Sequence, residues 1–107
     1  MKDDSVYLDH ILTAISKIEN FVLGISQDEF EKSVLIQDAV IRNFEIIGEA
    51  TKKISCSFTQ AHPEIPWQDM AGMRNKLIHD YIDVDMDVIW RTIEIDLPLL
   101  KELISSL

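Results

Sequence analysis

At 107 residues and 12.3 kDa, 47% hydrophobic with three Gly and three Pro, the chain is sized for a single domain, 1–107, with one core and few turns. A net charge of −9 argues against a broad nucleic-acid-binding surface, which needs basic patches, and suits docking to a basic partner protein. One cysteine, Cys56, excludes an internal disulfide and any multi-cysteine zinc site. No apolar run approaches the roughly 18 residues of a membrane span, and MKDDSVYLDH lacks a signal peptide's hydrophobic centre. A cytoplasmic protein without membrane contact is expected.

The first helix is predicted from Asp4 or Ser5 to about Leu23, with Leu8, Ile11, Leu12, Ile15, Ile18 and Val22 forming one stripe. Asp3 and Asp4 favour its N-terminal end and Gly24 stops it. His10 falls off the stripe and reads as solvated. Ser26 to Glu29 has capping-box spacing, so a helix or short turn begins there.

The main second helix is predicted from about Ser33 to Ile54. Its apolar positions make two adjoining stripes: Ile36, Val40, Phe44, Ile47 and Ile54, and beside them Leu35, Ala39, Ile46 and Ala50. Such a width suits the chain's own core on one side and a second copy on the other. Its polar side carries Asp38, Arg42, Glu45, Glu49 and Lys52 at three- and four-residue spacing. That pattern fits either a charge-laced solvated face or a border to a functional site.

From Ser55 to Pro66 two prolines and several turn-formers predict the one long loop, with His62 before Pro63 unsuited to metal binding. Pro66 and Trp67 open a third helix, whose buried face is Trp67, Met70, Met73, Leu77 and Ile78 and which ends near Tyr81. Asp85 or Asp87 caps the last helix, whose core stripe is Ile89, Ile93, Leu97, Leu100, Ile104 and Leu107. Pro98 predicts a kink, and Trp90 is expected in the core or a dimer contact. The expected fold is therefore all-α: an up-and-down bundle of four main helices, homodimeric.

Chemistry concentrates in MRNKLIHDY, Met73 to Tyr81. Within two helical turns it holds Arg74, Asn75, His79 and Tyr81, an R-x4-H-x-Y pattern. At about 100° per residue, Arg74 and Tyr81 fall within roughly 20° of each other on a helix, while His79 lies about 140° from Arg74, a gap a long Arg can cross, and beside its i−4 neighbour Asn75. An imidazole able to move a proton near neutral pH, beside a guanidinium able to hold a phosphate, suits phosphodiester cleavage. RNA carries its own nucleophile, the 2′-hydroxyl, so no metal or cofactor is needed. His79 would move the proton, Arg74 would stabilise charge on the non-bridging oxygens, Asn75 would orient His79 or the phosphate, and Tyr81 would contact the backbone. One histidine per chain is thin for acid–base work; a dimer that joins two motifs at a shared cleft supplies two.

RNKLIHDY, preceded by IPWQDMAGM and followed by a helix ending DLPLLKELI, closely resembles the HepT-like HEPN family, and RNFEIIGEA upstream resembles that family's second long helix. The resemblance covers nearly the whole chain in order. It implies an all-α dimeric (HEPN-like) RNase, the toxin of a type VII toxin–antitoxin pair whose antitoxin is a minimal (MNT) nucleotidyltransferase. It also implies AMP transfer (AMPylation) onto Tyr81 by that partner, which would fill the phosphate site and repel RNA. Two other readings stay open. One is a non-catalytic nucleotide- or substrate-binding subunit of a two-component nucleotidyltransferase, with Arg74 and Lys76 on phosphates. The other is a dimeric interaction module.

Overall fold

The computed structural model describes residues 3–72 and 85–107. All regular structure among them is helical: α1 (Asp4–Phe21), α2 (Gln27–Lys32), α3 (Val34–Lys53), α4 (Cys56–Ala61), α5 (67–72), α6 (Met86–Arg91), a π-helical turn (Thr92–Asp96) and α7 (Leu97–Ser105). The all-α expectation holds. Among the described residues α1, α3 and the continuous α6–π–α7 rod are the long pieces, and α2, α4 and α5 are described over six residues each.

α1 begins where Asp3 accepts a hydrogen bond from the Ser5 N–H at 3.3 Å. It buries Ile11, Ala14, Ile15 and Ile18 completely, while Leu8, Leu12 and Val22 are half-buried at the stripe's edges. The helix stops at Phe21, two residues before the predicted end, and Gly24 turns the chain at φ +77°. A Cβ there would meet open space, so any cost of adding one is purely conformational. Gly24→Ala is expected to destabilise the fold by about 1 kcal/mol, a drop of about 4–8 °C in melting temperature by calorimetry.

α2 is set by a complete capping box. Ser26 Oγ accepts from the Glu29 N–H and the Glu29 carboxylate accepts from the Ser26 N–H, both at 3.2 Å. Six residues cannot hold a helix alone. What holds α2 is Phe30, fully buried with its ring 5.3 Å from Trp90. Gln27 Nε2 adds a 2.6 Å bond to Asp87 at the head of α6.

Ser33 caps α3 by accepting from the Ile36 N–H. The buried face of α3 includes Ile41, which lay in neither predicted stripe, together with Asn43 and Thr51. These polar residues bond back into the helix: Thr51 Oγ1 donates to the Ile47 carbonyl at 2.7 Å and Asn43 Nδ2 to that of Ala39 at 2.8 Å. Asn43 Oδ1 is buried without a partner among the described residues, at a cost of about 1–3 kcal/mol. Leu35, predicted on a packed stripe, is 81% exposed in the first turn, and Val34 beside it is also exposed. Both precede the point where α3 meets α1.

α1 and α3 run antiparallel, and their far ends are clasped. Asp4 accepts from the Ser55 N–H at 2.9 Å and from the Ser55 hydroxyl at 2.7 Å. The hydroxyl donor first, then the N–H, hold the Asp4 carboxyl below its ordinary range against a smaller opposing effect of desolvation. A carboxyl depressed in the folded state stabilises the fold above its unfolded pKa of about 3.9, and that contribution fades as pH falls through the lower folded value. The melting-temperature gap between wild type and Asp4→Asn is therefore expected to close as pH is lowered from about 5 to about 2.

The predicted loop 55–66 is corrected. Ser55 also accepts from the Phe58 N–H at 3.3 Å, and that cap starts α4 over Cys56–Ala61. The turn-rich composition that argued for a loop is a helix cap and two flanking turns. Cys56 is exposed in its first turn. Pro66 opens α5 as predicted, with its carbonyl accepting from the Met70 N–H at 3.1 Å.

Asp85 caps α6 by accepting from the Asp87 N–H at 2.9 Å. The expected distortion at Pro98 takes a particular form: the π-helical turn Thr92–Asp96 lies just ahead of it, and Pro98 stands in the first turn of α7. Proline has no N–H to give and its ring crowds the carbonyl four residues back; the wider turn accommodates both. Ile89, Trp90, Ile93, Leu97 and Ile104 are buried and Leu100 half-buried, but Leu107, predicted as core, is 43% exposed beyond the helix end. Lys101 pairs with Glu19 of α1 at 2.9 Å.

Candidate functional site

The R-x4-H-x-Y motif is carried between two anchored helix ends. On its N-terminal side, α5 is fixed by buried Ile65 and Met70 and by Trp67 Nε1, which donates to the His62 carbonyl at 2.9 Å. On its C-terminal side, the Asp85 cap and buried Ile89 and Trp90 fix α6. Arg74, Asn75, His79 and Tyr81, with the predicted helix end near Tyr81 and the core positions Met73, Leu77 and Ile78, lie outside the described residues.

Arg42 and Glu45 form an ion pair at 3.5 Å on the surface of α3, with the Arg42 side chain 60% exposed. An exposed pair of this kind contributes little stability. Glu49, the fourth polar residue of that face, is half-buried. The charge-laced reading of α3 holds for the Arg42–Glu45 pair.

The two described histidines are engaged elsewhere. His10 is exposed on α1 with the Tyr7 ring edge-on at 6.1 Å. The His62 ring packs on Phe58 at 4.6 Å, with Nδ1 3.5 Å from Glu64. Among the described residues no three His, Cys, Asp or Glu side chains are grouped to hold a metal ion, and no helix is long and apolar enough to cross a membrane.

One concavity missed by the sequence reading is a groove of about 420 Å³ between α3, the start of α5 and the π–α7 segment. Its polar lining among the described residues is Glu64, Asp69, Thr92 and Asp96, which gives that part of the groove an acidic rim. The signal was in the sequence as two separate features, acidic residues flanking apolar ones near Pro66 and Pro98. Only the packing of α5 beside the last helix joins them.

The described architecture and the motif together define a small all-α protein carrying proton-transfer and phosphate-holding residue types on the chain between α5 and α6. A family model described as Ribonuclease HepT-like matches residues 11–107, and the chain belongs to that family. It is 50% identical over 95 residues to the "Probable ribonuclease HepT" of Thermococcus cleftensis, covering 89% of this chain and 86% of that one. It is 39% identical over 107 residues to a Caldanaerobacter subterraneus subsp. tengcongensis protein named provisionally as an RNase, covering 100% and 96%. A Methanocaldococcus jannaschii protein named gamma-glutamylcyclotransferase and, provisionally, RNase is 44% identical over 101 residues, or 94% of this chain but 46% of that longer protein. No solved structure matches.

Proposed function

We propose that this protein is a metal-independent RNA endonuclease, acting as a homodimer of a single HEPN domain spanning 1–107. The reading rests on one observation: R-x4-H-x-Y stands intact in a chain that matches the HepT-like ribonuclease family over residues 11–107. The RNA 2′-oxygen attacks the adjacent phosphorus, the bond to the 5′-oxygen breaks, and a 2′,3′-cyclic phosphate and a 5′-hydroxyl form. His79 takes the 2′ proton; His79 of the second copy gives one to the leaving oxygen. Arg74 binds the non-bridging oxygens as their charge grows, and Asn75 orients His79 or the phosphate.

The chain's acidity requires that affinity for RNA come from this local site, so binding elsewhere on the molecule is weak and salt-sensitive. The same acidity favours regulation by protein docking. We take the partner to be a minimal nucleotidyltransferase antitoxin that transfers AMP to the Tyr81 oxygen, displacing pyrophosphate from ATP. The adduct places a phosphate beside Arg74 and blocks the RNA site.

The test is cleavage of a short end-labelled RNA by partner-free protein in EDTA, with products resolved by mass. A cyclic phosphate end is the expected result. Cleavage only after addition of a divalent metal would overturn the mechanism, and no cleavage by protein with verified unmodified Tyr81 would overturn the function.

A further inference from the structure

The groove between α3, α5 and α7 has no part in that chemistry. Ile47, Met70, Leu97, Leu100 and Leu103 form its apolar floor, and Leu99 stands 57% exposed at its mouth. The apolar surface continues along the last helix through Ile95 and Val88, 56% and 42% exposed. Val88 and Ile95 line a second depression beside the groove. Thr92 and Asp96 line both the groove and the shallower depression beside that strip. Arg91, at the strip's edge, is held by Asp87 at 2.9 Å.

We propose that this groove and strip dock a basic amphipathic helix of a partner protein, its apolar face against the floor and its Lys or Arg side chains against Glu64, Asp69 and Asp96. The groove runs beside the last helix from Thr92 to Leu103 over an apolar floor, a shape that takes the apolar face of another helix. The charge selects the partner. RNA is disfavoured because three carboxylates face the groove and would repel its phosphates. A second copy across a two-fold axis would set this acidic rim against itself. The inference does not depend on the cleavage reading.

The experiment is fluorescence anisotropy with the full chain and a labelled synthetic peptide of about 18 residues, Leu and Lys patterned for one apolar helix face. A scrambled peptide of the same composition serves as control. The patterned peptide is expected to bind at least about tenfold more tightly than the scrambled one. The triple variant Glu64→Gln, Asp69→Asn, Asp96→Asn should weaken it about tenfold, while Asp9→Asn, Asp28→Asn, Glu31→Gln, an equal change of charge elsewhere, changes it less than about twofold. Equal weakening by both triples would mean diffuse attraction to an acidic protein and would overturn the proposal, as would no weakening by the groove triple. Sedimentation of Leu99→Glu separates the remaining occupants. Dissociation of a dimer by that change, with the peptide binding only afterwards, assigns the groove to a second copy. Displacement of the peptide by RNA assigns it to RNA. Either result overturns the proposal.

Discussion

Replacing His79 with alanine is expected to lower RNA cleavage by at least about 10²-fold, the usual contribution of a positioned general acid or base. The effect should be larger than for any other single histidine, because His10 is solvated on α1 and His62 is packed on Phe58. If two copies of His79 share one cleft, as acid and base, the substitution removes both roles at once and the loss approaches about 10⁴-fold. His10→Ala is the matched control and should cleave as wild type does. Arg74→Lys tests the companion role: the charge is kept but the planar two-pronged donor is lost, so turnover should fall while RNA binding changes little. Cleavage undiminished in His79→Ala, with the melting curve unchanged, would remove His79 from the chemistry.

The second large effect belongs to Phe30. Its side chain is fully enclosed, and it joins α2 to α6 through Trp90. Phe30→Ala is expected to cost about 3–5 kcal/mol, the lost burial plus the cavity left behind. Against a typical total of about 5–15 kcal/mol this removes a large share of the stability, and the melting temperature should fall by about 15 °C or more. α2 would be affected first. Its capping box contributes only about 1 kcal/mol. Without the Phe30 ring its six residues are held by polar contacts, the Gln27–Asp87 bond to the last helix and the bonds that Gln37 Nε2 donates to the Phe30 and Glu31 carbonyls. Phe30→Leu, which keeps most of the volume, should cost less than half as much; urea unfolding of the two variants measures the difference. Equal stability of Phe30→Ala and wild type would mean that α2 is dispensable to the core.

These elements show what sequence could and could not foretell. The 3-4 spacing of isoleucines in α1 and the Ser26–Glu29 box are local rules, and both appear where the rules put them. The Ser55 cap is equally local, but Cys56–Ala61 has no apolar period to accompany it, and its stability depends on the clasp to Asp4, a partner 51 residues away. Burial of Asn43 and Thr51 was invisible to an apolar count, because their donors, Asn43 Nδ2 and Thr51 Oγ1, bond to the helix's own carbonyls. Pro98 announced a distortion but not its type. In the functional region, residue chemistry and family resemblance were legible in MRNKLIHDY itself. The acidic groove was not, since its lining comes from segments as far apart as Phe44 and Leu103.

The π-helical turn at Thr92–Asp96 makes the last helix sensitive to counting rather than to composition. The turn takes up one residue more than α geometry would, so removing one residue there restores a regular α-helix in phase. Tightening it to α geometry with every residue kept would instead swing everything after it by about 100°. Leu97 and Ile104 would leave the core together, and Lys101 would turn away from Glu19. The phase of the helix survives a single deletion in this turn; it does not survive loss of the π geometry alone. The wider turn thus lets the two halves of the last helix carry an extra residue and still present their buried positions to one core.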